Sequence, residues 1–283
     1  MNSGANTKSL DQTFFEEYTS QDAIQKYSKA TAGQGISYLL DHDYKRIYMQ
    51  ALDALPAATR ARGISILEFG CGAGMNLVHL ASVLSRSGVK ILKAVGTDFS
   101  PVLIEAAVRE SAAYLPGGAR SALQFHVARN ETLAADIAAV TGANQSALAG
   151  SFDLILGVNT MRYCHRGGAE MACARDIMAL LSPGGICVNI DMNNRFPAFR
   201  SALKGMFRDR SAEECYIPTL DEYAAPFEKT GFEILRKEHF CWIPHSAGRF
   251  LIGLTRALAP LLNAVAGSRA MRSLVVARRP LSD

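Results

Sequence analysis

Three glycines at alternating positions close the run Leu67-Glu-Phe-Gly-Cys-Gly-Ala-Gly74. A glycine has no Cβ, so Gly70, Gly72 and Gly74 let the backbone turn sharply and let a ligand approach main-chain N–H groups. Glu68 stands inside the run and can orient the turn by accepting those N–H groups. A dinucleotide fingerprint, G-x-G-x-x-G, needs a third glycine where Met75 stands, so it fails. Asp98 and Asn159 end two later apolar runs. His165 lies six residues after Asn159 in Met161-Arg-Tyr-Cys-His165 and is the best-placed general base, against a packed or surface histidine as the alternative. Six cysteines, at 71, 164, 173, 187, 215 and 241, include no C-x-x-C pair. Neither a disulfide scaffold nor a metal site is expected.

The elements that must position these residues alternate. Ile64–Phe69, Ile91–Thr97, Leu123–Val127, Phe152–Leu156 and Ile186–Ile190 are short apolar strands. Helices are expected at 76–85, from Ser100-Pro101 to Tyr114, and at 170–181, the last stopping at Pro183-Gly-Gly185. Near-continuous apolar strands separated by helices imply a parallel sheet covered on both faces. In such a sheet the ligand site lies at the carboxyl ends of the strands, where the glycine run, Asp98 and Asn159 all fall. After a helix at 220–230, an alternating strand at 232–242 and a last strand at 273–277 complete seven.

The run Glu68-x-Gly70-x-Gly72-x-Gly74 resembles the first motif of the class I S-adenosylmethionine-dependent methyltransferases. Phe152-Asp-Leu-Ile-Leu with Asn159, and Leu180-Leu-Ser-Pro-Gly-Gly185, are similar to two later motifs in the same order. The resemblance implies an α/β fold with a doubly wound, mostly parallel seven-stranded sheet, a Rossmann-like methyltransferase fold with an N-terminal helical cap. It implies S-adenosyl-L-methionine as cofactor, leaving as S-adenosyl-L-homocysteine. It assigns Glu68, Gly70, Gly72 and Gly74 to the cofactor, Asp98 to both ribose hydroxyls and Phe99 to the adenine face, with Asn159 at the cleft. The usual acid after strand three is replaced by Arg129, so the adenine edge is assigned to Asn130 and Glu131. Tyr27 is the cap tyrosine expected at the methionine end, beside Tyr18 and Tyr38.

The coverings are the cap, residues 1–60, and two acceptor-side insertions, 195–217 and 245–271, on a domain at 61–283. Arg200, Lys204 and Arg208 share one helix face, which reads as a solvated face or as a grip on an anionic acceptor. The second insertion carries an apolar stripe, Phe250, Leu254, Leu258, Leu261 and Val265, with arginines around it. It reads as a packed helix, a lid over a hydrophobic acceptor, or a membrane-surface helix. At about 17 residues, broken by Arg256 and Pro260, it is too short for a span. The chain has 283 residues, 49% hydrophobic and 20% charged, with net charge +4. That is too weakly basic for a nucleic-acid binder, and the N/D-P-P-Y tetrad of nucleic-acid methyltransferases is absent after strand four. The polar N-terminus lacks a secretory signal, so the expected location is cytoplasmic. The expected acceptor is a small molecule, anionic or hydrophobic, methylated by in-line displacement. A lipid or isoprenoid acceptor at a membrane surface is the alternative, a catalytically silent cofactor-binding protein is a third reading, and a homodimer is left open.

Overall fold

The computed structural model describes residues 18–27, 33–197 and 217–281. Seven strands form one sheet: β1 (Ile64–Phe69), β2 (Ile91–Asp98), β3 (Leu123–Val127), β4 (Phe152–Val158), β5 (Leu181–Met192), β6 (Glu233–Phe240) and β7 (Arg272–Arg278). Their order is β3-β2-β1-β4-β5-β7-β6. The first five are parallel, and β7 runs antiparallel between β5 and β6. The chain winds outward from β1 and then returns to β4 on its other side, so the switch point falls between β1 and β4. A crevice opens there at the carboxyl ends of the strands.

The helices are α1 (Asp22–Tyr27), α2 (Gln34–Leu39), α3 (Lys45–Asp53), α4 (Ala57–Arg62), α5 (Met75–Arg86), α6 (Pro101–Tyr114), α7 (Leu133–Thr141), α8 (Met161–Arg166), α9 (Glu170–Leu180), α10 (Leu220–Thr230) and α11 (Arg249–Ala266). Local sequence chemistry sets several of their ends. Ser100 caps α6 through the Leu103 N–H, with Pro101 in the first turn. Thr219 and Glu222 form a capping box on α10, and left-handed Gly231 stops it.

Successive side chains of a strand point to opposite faces, so each strand feeds two cores. Ile64, Ile66, Leu154, Leu156 and Val188 pack under Ile47, Tyr48 and Leu52 of α3 and Leu77, Leu80 and Leu84 of α5. On the other face Phe69, Ile155 and Cys187 meet Ile137 of α7, Ile177 of α9, and Tyr223 and Phe227 of α10. Helix α3 therefore belongs to a helical layer of the sandwich. The part of the N-terminal region that reaches the crevice is α1 and the residues just before it.

Three boundaries differ from the sequence reading. Leu181-Ser-Pro-Gly-Gly185, expected as a turn, is the first part of β5. Gly184 N–H donates to the Arg279 carbonyl and Arg279 N–H to the Gly185 carbonyl, so the segment is held in the sheet. The strand expected to reach Trp242 stops at Phe240, because Cys241 takes a φ of 64° and turns the chain. The insertion at 245–271 is helical, and the run Arg249–Arg269 spans 21 residues. It is long and apolar enough, by length and composition alone, to cross a membrane, so the length argument against a span does not hold. Most of the first insertion, with Arg200, Lys204 and Arg208, lies outside the described residues.

Asp153, at the base of β4 and 1% exposed, ties the sheet's lower edge together. Its carboxylate accepts the Ser65 N–H at 2.9 Å, the Arg62 guanidinium at 2.6 Å and the Ser182 hydroxyl at 2.8 Å. Arg62 is half exposed, so the ion pair itself contributes little; the buried N–H is the group that cannot be left unpaired. Asp153→Ala is expected to cost about 2 kcal/mol in urea unfolding, with S-adenosylhomocysteine affinity unchanged because the crevice is at the opposite strand ends.

Candidate active site

Gly70, Gly72 and Gly74 have φ of 61°, 55° and 77°. The loop after β1 is a chain of left-handed residues that only glycine adopts without strain. At Gly70 space adds a second reason: a Cβ would lie 2.6 Å from the Cβ of Thr160 and collide with its hydroxyl. Thr160 follows β4, and its Oγ1 accepts the Asn130 side-chain amide at 2.8 Å. One close approach thus brings the ends of β1, β3 and β4 together. Glu131, one residue on, is exposed.

Asp98 is 6% exposed and staples two loops. Its Oδ2 accepts the Gly72 N–H and its Oδ1 the Ser100 N–H, both at 2.9 Å. Burial raises its pKa while the two N–H donors oppose that. Each oxygen keeps a second lone pair, the arrangement needed to accept two parallel hydroxyls. Glu68 is fully buried. Its Oε2 accepts the Leu77 N–H in the first turn of α5 at 3.0 Å, so the carboxyl fixes the helix that continues the loop. Burial pushes its pKa up to about 8, although Asn76 and the Leu77 N–H favour the charge. Glu68 is a positioning residue: it has no surface to offer a ligand directly.

The cap meets this loop through Tyr18. Ser100 Oγ donates to the Tyr18 carbonyl at 2.6 Å, and the Tyr18 and Tyr163 hydroxyls are 2.6 Å apart. The Tyr18 ring lies 6.0 Å from Phe99, and the two pack with Ala73 and Leu103. The side chain of Tyr27 lies outside the described residues. Tyr163 in turn accepts from Arg162 Nη2 at 2.8 Å, and Arg162 Nη1 donates to Asp191 at 3.2 Å. Asp191 also takes the Arg162 and Met192 N–H groups. A buried line Asp191–Arg162–Tyr163–Tyr18 therefore runs from β5 to the cap.

His165 is not brought to the crevice. Two residues after Tyr163 on a helix, it points roughly 200° away from the face that meets the cap. Its ring stands edge-on to Tyr223 of α10 at 5.7 Å, and burial lowers its pKa. It is a packed histidine on the far helical layer, and the sequence-based candidate base is withdrawn.

Asn159 holds a φ of 56° at the end of β4. Its side-chain carbonyl accepts from Arg272 Nη1 at 2.9 Å. In the sequence Arg272 stands out only as one of the arginines around the apolar stripe of the second insertion. It opens β7, is 2% exposed, leaves Nε without a partner, and has no carboxylate within 4 Å among the described residues. His245 lies close enough for burial, Arg272 and Arg162 together to hold its pKa well below the usual range, so its ring is neutral. The crevice end thus holds two buried guanidinium groups: Arg162, matched by Asp191, and Arg272, matched by no carboxylate among the described residues.

The left-handed glycine loop, with N–H groups that no Cβ screens, and a buried acid with free lone pairs at the end of β2 fit S-adenosylmethionine. A family model described as "Methyltransferase domain" matches residues 40–237, and the chain belongs to that family. No curated protein sequence matches it. Among solved structures it is similar to magnesium protoporphyrin IX methyltransferase from Synechocystis PCC 6803 with bound S-adenosylhomocysteine. That match has TM-score 0.58 and 13% identity, over 95% of this chain and 99% of that one. It is similar to a SAM-dependent methyltransferase from Aquifex aeolicus, with TM-score 0.56 and 14% identity over 92% and 98%. It also matches the [4+2]-cyclase SpnF, with TM-score 0.55 and 18% identity over 84% and 82%. The protein is an S-adenosylmethionine-dependent methyltransferase.

Two outcomes follow. Asp98→Asn keeps one acceptor oxygen and is expected to weaken S-adenosylhomocysteine binding by roughly tenfold to a hundredfold in calorimetry. Unchanged affinity would remove Asp98 from the site. Glu68 has a folded pKa raised above its unfolded value of 4.5. The folded state therefore binds the proton more tightly, and stability from this group is lost as pH rises from about 4.5 to about 8. Glu68→Gln mimics the protonated acid, so its stability relative to the native protein is expected to increase over that window, read by urea midpoints at each pH.

Proposed function

We propose that the enzyme methylates a small-molecule acceptor carrying an anionic group, a carboxylate or a phosphate. The observation that carries this reading is Arg272. A buried guanidinium without a counter-charge is costly, and an orphaned buried polar group calls for a missing partner. Its fork geometry suits a planar or tetrahedral oxyanion, and its bond to Asn159 sets it beside the end of β4, next to the glycine loop. Neutral His245 adds no further positive charge beside it.

S-adenosylmethionine supplies a methyl group already made electrophilic by its sulfonium. The chain's task is then alignment: placing nucleophile, methyl carbon and sulfur in line, which is the proximity contribution to rate. The glycine loop and Asp98 hold the cofactor end, Arg272 and Asn159 the acceptor end. Tyr18, bonded to Tyr163, roofs the crevice against water. A proton acceptor is needed only if the acceptor atom must lose a proton.

The test is Arg272→Met, assayed by S-adenosylhomocysteine release against a panel of carboxylate- and phosphate-bearing metabolites and their neutral analogues. Native enzyme is expected to turn over an anionic member and lose its neutral analogue. The variant should lose kcat/KM for that acceptor by roughly a hundredfold, the scale of one buried charged contact, with S-adenosylhomocysteine affinity within about threefold. A fall in cofactor affinity instead would assign Arg272 to the cofactor's own carboxylate.

A lipid or isoprenoid acceptor is a second reading, favoured by one separate observation, the exposed apolar face of α11.

A further inference from the structure

Helix α11 is long and apolar, yet it is among the least buried of the described helices. Over its most apolar 18-residue window only 6% is buried inside the protein. Only Ile252 and Thr255 are buried, on one narrow edge. Phe250 is 85% exposed, Leu261 62% and Val265 79%, and Leu254 and Leu258 are exposed between them. These five recur at helical spacing and form one continuous stripe. Contiguous apolar surface of this kind on a soluble protein marks an interaction site.

Charge says what the stripe meets. Between Glu238 and Asp283 the chain has no acidic residue, yet it carries arginines at 249, 256, 269, 272, 278 and 279. Two of them, Arg249 and Arg256, stand at i and i+7 on the face of the helix turned roughly 150° from the stripe, the polar side of an amphipathic helix. They line an open groove of about 420 Å³ between α11 and α2, together with Gln34, Ser37 and Tyr38. The Arg256 guanidinium sits 5.6 Å over the Tyr38 ring, which pre-orients it. The groove offers two cations and neutral donors with no carboxylate among the residues that line it, the chemistry that receives a phosphate.

A protein partner for such a stripe would be met by few charges; an acid-free apolar helix with arginines on its polar side fits an anionic lipid surface. We infer that α11 lies in the plane of an anionic membrane surface, its stripe facing the acyl chains and the Arg249–Arg256 groove taking a lipid phosphate headgroup. Arg256, mid-run, is compatible with this lying pose and costly in a spanning one. The inference concerns where the enzyme works. It goes beyond the acceptor reading and does not depend on Arg272.

The experiment is flotation of the full chain with vesicles of phosphatidylcholine alone and of phosphatidylcholine mixed with phosphatidylglycerol, at low and high salt. S-adenosylhomocysteine binding is measured on the same samples. The native chain is expected to float with the anionic vesicles, less at high salt, and poorly with phosphatidylcholine. Phe250→Glu with Leu261→Glu should lower partitioning by more than roughly tenfold. Arg249→Gln and Arg256→Gln should each lower it roughly fivefold on anionic vesicles only. All four sites are exposed and away from the crevice, so cofactor affinity should not move. The inference is overturned if the native chain binds cofactor but floats with neither vesicle. It is equally overturned if light scattering shows a dimer that Phe250→Glu dissociates, since the face is then a protein interface. Failure of the native chain to bind S-adenosylhomocysteine would strike the methyltransferase assignment and leave the flotation result to stand by itself.

Discussion

The crevice depends on one close approach, that of Gly70 to Thr160. With a φ of 61° and a threonine side chain where a Cβ would go, position 70 excludes every other residue on two counts. Because the loop can come this near, Thr160 reaches Asn130, and the carboxyl ends of β1, β3 and β4 are drawn into one rim. The Asp98 staple to Gly72 and Ser100 completes that rim from β2. Glu68 supports it from below by holding α5. The cofactor's binding groups are in place before any ligand arrives, which is what preorganisation requires of a reaction whose electrophile is already activated.

Charge is distributed unevenly around this rim. Arg162 is spent on structure: Asp191 neutralises it and Tyr163 passes its hydrogen bond to Tyr18 of the cap. Arg272 is equally buried and has only the neutral Asn159 side chain. Of these two guanidinium groups near one crevice, one is balanced by a carboxylate and the other, among the described residues, is not. Burial, with the fields of both guanidinium groups, keeps His245 neutral, so it adds no further positive charge there. The outer surface shows the same bias at larger scale, where the acid-free C-terminal segment carries α11 with its apolar side turned outward.

Much of this was legible in the residue order. The alternation of apolar runs and helices, the caps at Ser100 and Gly231, and the glycine loop with Asp98 are local signals: each rests on a backbone preference or a period that neighbouring residues set. The misses share a different cause. Tyr18, one of several cap tyrosines in the sequence, meets Tyr163 only because of the path the chain takes. His165 looked well placed after Asn159, but helical rotation sends it to the opposite layer against Tyr223. Leu181–Gly185 carries turn residues, yet pairing with Arg279 at the chain's end makes it strand.

By itself, then, the sequence determined the parallel α/β class and the glycine turn with an acid at the end of the next strand, because these follow from steric freedom and spacing within a few residues. The burial of Arg272 at the crevice was decided only by the tertiary structure. Arg272 reads as one of the arginines around the apolar insertion, just ahead of the last strand; it reaches the crevice because β7 runs antiparallel and so begins where its parallel neighbours end. The exposure of α11 was equally open, since an apolar stripe is compatible with a core helix. Only the assembled sandwich shows that both faces of the sheet are already covered by other helices, leaving that stripe no interior to enter.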